Sequence, residues 1–262
     1  MYYDAIEDIE NNIINNNYDS FNTLIATFNS ISDVDQFCNQ YCHDNKYNGL
    51  KIGQKIQINI PNSYGISSQW YIAGFDCEYN HTASDGTIKD NGYGICLIPV
   101  SVLGVYYTFH NSNSPIGYAN ADIQNMSQLL QNELIKTLGS HLINRNVLLS
   151  NVVNPTTGLS TSYIWTTSYV TLMSGCQLTG EIAKYSNKYD DGEANYKLPL
   201  FNYMNFYVDD EGKPGFYWTR GIAGISGGYY CAYMTSVSSN SLDATRIISH
   251  GTYGARPMIY IR

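Results

Sequence analysis

The spacing of apolar residues along this chain changes near Asn48, and that change limits the folds open to it. Before it, apolar residues recur at helical intervals. "DAIEDIENNIINN" puts Ile6, Ile9, Ile13 and Ile14 on one stripe, and "YDSFNTLIATFNS" repeats the interval with Phe21, Leu24, Ile25 and Phe28. "SDVDQFCNQYC" follows, with Ser32 as the expected N-cap and Asp33 and Asp35 in the first turn. Val34, Phe37, Cys38 and Tyr41 form its apolar face. Short helices are marginal alone. Residues 1–46 are therefore expected to need a partner surface, either the following domain or another copy of the chain.

After Asn48 the apolar interval falls to two, which is the strand pattern. "GLKIGQKIQINI" alternates Ile52, Ile56, Ile58 and Ile60 against Lys and Gln. "SQWYIAGFDCEY" and "YGICLIPVSV" read as further strands, the second apolar enough to be central in a sheet. Between them, Asp85-Gly86 and Asn91-Gly92 are hairpin signals. Helix returns over 121–138, where Ile123, Met126, Leu129, Leu130, Leu134 and Leu138 line one face and Gly139 supplies the stop. "LINRNVLLSNVV" adds apolar mass, and "SYIWTTSYVTLMS", "YKLPLFNYM", "GFYWTR", "YYCAYMTSV" and "GARPMIYIR" read as short strands between long loops. Helix in the middle with strands on both sides predicts an α+β domain with an antiparallel sheet.

Charge and composition narrow the function. The net charge of −8 argues against nucleic acid as the partner, since phosphate binding needs clustered Lys and Arg. No apolar run long enough to span a membrane occurs, and the acidic start "MYYDAIEDIENN" lacks the apolar centre of a signal peptide. The six cysteines are scattered and are expected as thiols. Cys38 and Cys42 have i,i+4 helical spacing and no second Cys/His pair nearby, so they read as small core residues rather than half a zinc site. The acidic turns "YDDGEAN" (Asp190, Asp191, Glu193) and "DDEG" at 209–212 lack the spacing of a calcium loop and read as turns before strands. His43, His81, His110, His141 and His250 sit in unrelated contexts, and no nucleophile elbow, P-loop or HExxH motif is present. No catalytic group, metal or cofactor is expected.

The C-terminal stretch is different. From Thr219 to Tyr253 there is no Lys, Glu, Gln, Trp or Pro. The chain's own frequencies would put roughly three Lys, Glu or Gln in such a window. Ser, Gly, Tyr and Asn dominate instead, the mix that antibody loops use for adaptable contacts and rigid aromatic area. A Gly/Ser-rich cover over a sheet would share that composition. One regularity goes further. Altering the two adenines of an Asn codon, AAY, can never give Lys, Glu, Gln, Met or Trp, and Met234 alone in the stretch falls outside the reachable set. That is the trace adenine-directed hypermutation would leave in protein.

With that stretch and its flanks the chain resembles the C-type-lectin-fold variable proteins diversified by retroelements, the major-tropism-determinant-like group, and most closely phage and prophage virion proteins of gut bacteria. The likeness covers residues 47–262 and rests on "WYIAGFD" at 70–76, "NGYGICLIP" at 91–99, "HLINRNVLLS" at 141–150, "YDDGEANYKLPLFNY" at 189–203 and the run from Trp218 to Arg262. It implies a C-type-lectin-like domain with a mixed antiparallel sheet and long loops, preceded by a helical segment, residues 1–46, for virion attachment or oligomerisation. It implies a variable region at about 219–253, with Trp218, Arg220, Arg256 and Pro257 as scaffold at its ends. The contact residues expected on that region are Tyr229, Tyr230, Tyr233, Ser236, Ser238, Asn240, Asp243, Arg246, His250 and Tyr253. The implied partners are a bacterial surface protein or glycan, other virion proteins and further copies of the chain joined through the N-terminal helices. The implied setting is the virion or, alternatively, a bacterial cell surface.

Some residues depart from the pattern. "WTR" stands where Trp-Leu-Arg is usual, no Glu-Pro-Asn calcium motif occurs, and Cys231 has no partner for the reactive pair of the related formylglycine-generating enzymes. Calcium-dependent sugar binding is therefore not expected. A virion decoration without a specific ligand and a glycan-acting enzyme are the alternatives.

Overall fold

The computed structural model describes residues 24–42, 47–61, 67–77, 81–82, 87–101, 107–180, 196–206, 216–236, 241–246 and 253–262; of 81–82, 233–236 and 241–246 it describes the backbone. Strand β1 (Leu24–Phe28) leads into helix α1 (Ile31–Tyr41), followed by β2 (Lys55–Ile58), β3 (Gln69–Phe75), β4 (His81–Thr82), β5 (Ile88–Lys89) and β6 (Ile95–Pro99). Helix α2 (Gln124–Leu138) precedes β7 (Arg145–Val153), β8 (Ser160–Ser168), β9 (Thr171–Leu172) and the short helix α3 (Gly175–Thr179). The C-terminal part carries β10 (Tyr217–Ser226), β11 (Tyr229–Ser236), β12 (Ser241–Arg246), β13 (Gly254–Ala255) and β14 (Pro257–Ile261). The architecture is mixed α+β and dominated by sheet, as the alternation of patterns predicts.

The main sheet has the order β1-β2-β3-β6-β14-β9. Its pairs are antiparallel except β1 with β2. Alternate residues of its strands enter two different cores. Trp70, Ile72, Ile95, Leu97, Ile259 and Ile261 face the first, with α1 and α2. Tyr71, Ala73, Cys96, Ile98, Met258 and Tyr260 face the second, with Met173, Leu178 and Leu200. A sheet covered on both faces explains why "ICLIP" and "PMIYI" are apolar at every position, and β6 is central as expected. A second sheet runs β12-β11-β10-β13, and β7 and β8 form a ribbon beside α2.

The expected helix at 121–138 is present as α2, with Met126, Leu130, Leu134 and Leu138 buried and Gly139 at its end with φ +54°. Leu129, expected on that face, is instead 45% exposed. Helix α1 starts two residues earlier than expected. Its N-cap is Ser30 rather than Ser32, because the Asp33 carboxylate turns back to accept the Asn29 and Ser30 N–H groups at 2.8 and 3.1 Å.

Two readings need correction. Residues 24–28, expected as helix, form β1. The stretch is short enough to fit either period, Leu24, Ile25 and Phe28 at helical spacing or Leu24, Ala26 and Phe28 at strand spacing, and β2 selects the strand by parallel pairing. Phe28 is buried beside Val34 and Phe37 of α1, so residues 24–42 belong to the same core as the domain that follows. "YKLPLFNYM", expected as a strand, holds a 3₁₀ turn at Pro199–Asn202, where Pro199 has no N–H for a ladder. Residues 1–23 and the turns at 85–86, 189–195 and 209–212 lie outside the described residues. The six cysteines are thiols, and Cys38 is buried on α1.

Candidate binding face

The C-terminal stretch is closed at its base. β10 and β13 pair in parallel, with Tyr217 opposite Gly254 and Trp218 opposite Ala255. The Gly254 N–H adds a bond to the Phe216 carbonyl at 3.0 Å. Trp218 is fully buried and its Nε1–H donates to the Tyr107 carbonyl at 2.7 Å. Its indole meets the rings of Phe109 and Tyr253 edge on, at 5.6 and 5.0 Å.

Arg256 follows immediately and is buried too. Its Nε, Nη2 and Nη1 donate to the carbonyls of Pro99, Val100 and Phe206 at 2.9, 3.0 and 3.1 Å. Arginine stays charged in any protein, so those three carbonyls are what offsets its loss of water. The Tyr217 ring lies 5.8 Å from the guanidinium and its hydroxyl donates to the same Phe206 carbonyl at 2.6 Å. Burial pushes the Tyr217 phenol up to about 12, with the Arg256 charge pulling the other way. Arg220 is buried with its N–H on the Met173 carbonyl, and Pro257 is buried opposite Leu172. All four expected scaffold residues thus lie inside the protein.

The middle of the stretch emerges from this base. β10 is buried through Gly224, then Ile225, Ser226, Gly227 and Gly228 are exposed. Gly227 and Gly228 have φ +58° and +79°, the backbone that a two-residue hairpin turn needs. Below the tip, a Cβ on Gly158 would lie 2.4 Å from the Gly224 backbone, so glycine lets the 154–159 turn touch β10 directly.

Tyr229 and Tyr230 sit at the tip, half-buried, with the Tyr230 hydroxyl on the Pro155 carbonyl at 3.2 Å. Tyr233 and Ser236 lie on β11 opposite Ala244 and Ser241. Asp243 and Arg246 lie on β12 opposite Met234 and Cys231. Tyr253 belongs to the base, bridged to Tyr107 and packed on Trp218. Ser238, Asn240 and His250 lie outside the described residues.

A segment that sequence reasoning passed over completes the face. Residues 107–116 run alongside the hairpin, and the Asn113 side chain bonds to it. His110 holds this segment together. Its Nδ1 lies 2.8 Å from Asp122 Oδ2, and the Ser112 and Ser114 hydroxyls lie 3.0 and 3.2 Å from its Nε2. Asp122 Oδ2 also accepts the Asn111 N–H at 2.7 Å. The only signal in sequence was the density of turn-forming residues in "HNSNSP".

No protein-family model, curated protein or solved structure matches the chain. Among the described residues, no helix is long and apolar enough to cross a membrane.

Proposed function

We propose that this chain is a phage virion adhesin with the C-type-lectin-like fold, whose β10–β12 sheet displays a diversifiable face to a bacterial surface protein or glycan. The observation that carries this reading is the pairing of Trp218 with Ala255. Both ends of the compositionally unusual stretch are buried and joined, while Ile225–Gly228 stand in solvent. A face built this way accepts new side chains at its tip without disturbing the core. Copies of such a face on one particle would multiply weak contacts into useful avidity.

Particles lacking this protein test the reading. Normal particles by electron microscopy with lost adsorption to the propagating host support adhesion; failure to assemble supports a decoration protein instead. A hydrolytic reading draws on Ser112 and His110, 3.0 Å apart, with the Asp122 carboxylate 2.8 Å from the other ring nitrogen as an ion pair. Turnover of p-nitrophenyl acetate that disappears in both Ser112→Ala and His110→Ala would favour it.

A further inference from the structure

Asn113 joins two parts of the chain through one side chain. Its Oδ1 accepts the Tyr230 N–H at 3.0 Å, and its Nδ2 donates to the Gly228 carbonyl at 3.2 Å. Those two backbone groups flank Tyr229 and leave β11 on the same side, as a strand's bonding groups do toward a neighbour. The other edge is taken by β10, where Ser226 stands opposite Tyr229. On the Asn113 edge, the last described pair of β11 with β12 is Cys231 opposite Arg246. One side-chain amide therefore bonds this edge of the hairpin as a strand residue would.

The base that presents Asn113 is itself fixed. Tyr107 exchanges both backbone bonds with Tyr253, at 2.8 and 3.2 Å, and the Ile123 N–H donates to the Phe109 carbonyl at 3.1 Å. Asp122 gathers His110 and the Asn111 N–H, and the two serine hydroxyls close on the other face of His110. Both Asn113 bonds go to hairpin backbone and neither to a hairpin side chain.

We propose that Asn113 is the positioning residue of the binding face, fixing the hairpin tip through backbone atoms alone so that its register is independent of the side chain at 229. Its purpose rests on the display reading above, because only a face whose side chains change needs a frame indifferent to them. Its chemistry stands separately. An asparagine that merely filled space would protect no particular amide; this one protects the Tyr230 N–H.

Hydrogen exchange on the whole chain tests this, comparing the wild type with Asn113→Ala, Asn113→Asp and Tyr229→Ser at neutral pH. In Asn113→Ala the Tyr230 amide should exchange about tenfold faster or more, with the Leu97 and Ile259 amides unchanged. Asn113→Asp keeps an acceptor oxygen and should leave Tyr230 protected, which also serves if the alanine variant folds poorly. Tyr229→Ser should leave Tyr230 at the wild-type rate. Wild-type exchange of Tyr230 in Asn113→Ala overturns the proposal, as does equal acceleration in the alanine and aspartate variants or acceleration in Tyr229→Ser. Adsorption indifferent to every tip substitution would instead defeat the display reading and leave the exchange result standing.

Discussion

The indole of Trp218 and the ring of Tyr253 meet edge to face at 5.0 Å with an interplanar angle of 82°, so the two ends of the C-terminal stretch touch. Trp218 is also hydrogen-bonded to the Tyr107 carbonyl and pressed against Phe109. Trp218→Ala should therefore cost about 3–5 kcal/mol, the range for a large buried aromatic. Urea unfolding gives the number, and a loss below about 1 kcal/mol would show that the base of the stretch is not a fixed frame.

Arg256 makes a sharper demand, because charge alone does not meet it. Lysine would keep the cation but cannot reach the Pro99, Val100 and Phe206 carbonyls with one ammonium in the same geometry. Arg256→Lys should destabilise by roughly 2–4 kcal/mol through loss of the guanidinium's bonds to these buried carbonyls. Equal stability of the two proteins in urea would mean that the guanidinium bonds contribute nothing net.

The sign of the alkaline response follows from Tyr217. Its folded phenol is pushed up to about 12 from an ordinary 10.0, chiefly by burial. An unfolded phenol ionises first, so stability intact below pH 10.0 should drain away as pH rises toward about 12. A shift of that size is worth about 2–3 kcal/mol. Tyr118, fully buried, is raised by the same cause and adds to the effect. Tyrosinate absorbance and far-UV circular dichroism, followed together, should show these phenols ionising only as the fold is lost. Tyrosinate appearing in full while the fold persists would contradict their burial.

Much of the scaffold was legible because apolar runs and periods are local. "ICLIP" announced a strand central in a sheet, "PMIYI" announced a strand, and the 121–138 stripe announced α2. Leu129 shows the limit: helical spacing marks an apolar stripe but does not say how wide its partner is. Residues 24–28 show another, since a five-residue run fits either period until β2 supplies an edge. The resemblance marked Trp218 and Arg256 as scaffold at the ends of the C-terminal stretch, and both are buried. Asn113 was not, because its partners lie 115 and 117 residues away and it bonds to backbone, which no side-chain pattern encodes.

The reassignment of residues 24–42 has its own test. With β1 in the main sheet and Phe28, Val34 and Phe37 in the first core, a chain starting at Tyr47 should lose cooperative unfolding. A chain starting at Thr23 should retain it. Two sharp and equal melting transitions would return the segment to the role of an appendage.

The most direct test of the display account measures stability and adsorption on the same variants. Ile225→Ser and Tyr229→Ser change side chains at the tip, and Ser238→Ala, Asn240→Ala and Asp243→Ala change other expected contact positions. Each should move stability by about 0.5 kcal/mol or less, the usual range at surface sites. Adsorption of particles to their host should fall, most of all for Tyr229→Ser, since tyrosine contributes large contact area at low entropy cost. Melting temperatures that drop by many degrees while adsorption per folded particle holds would contradict the account and make the stretch a structural sheet.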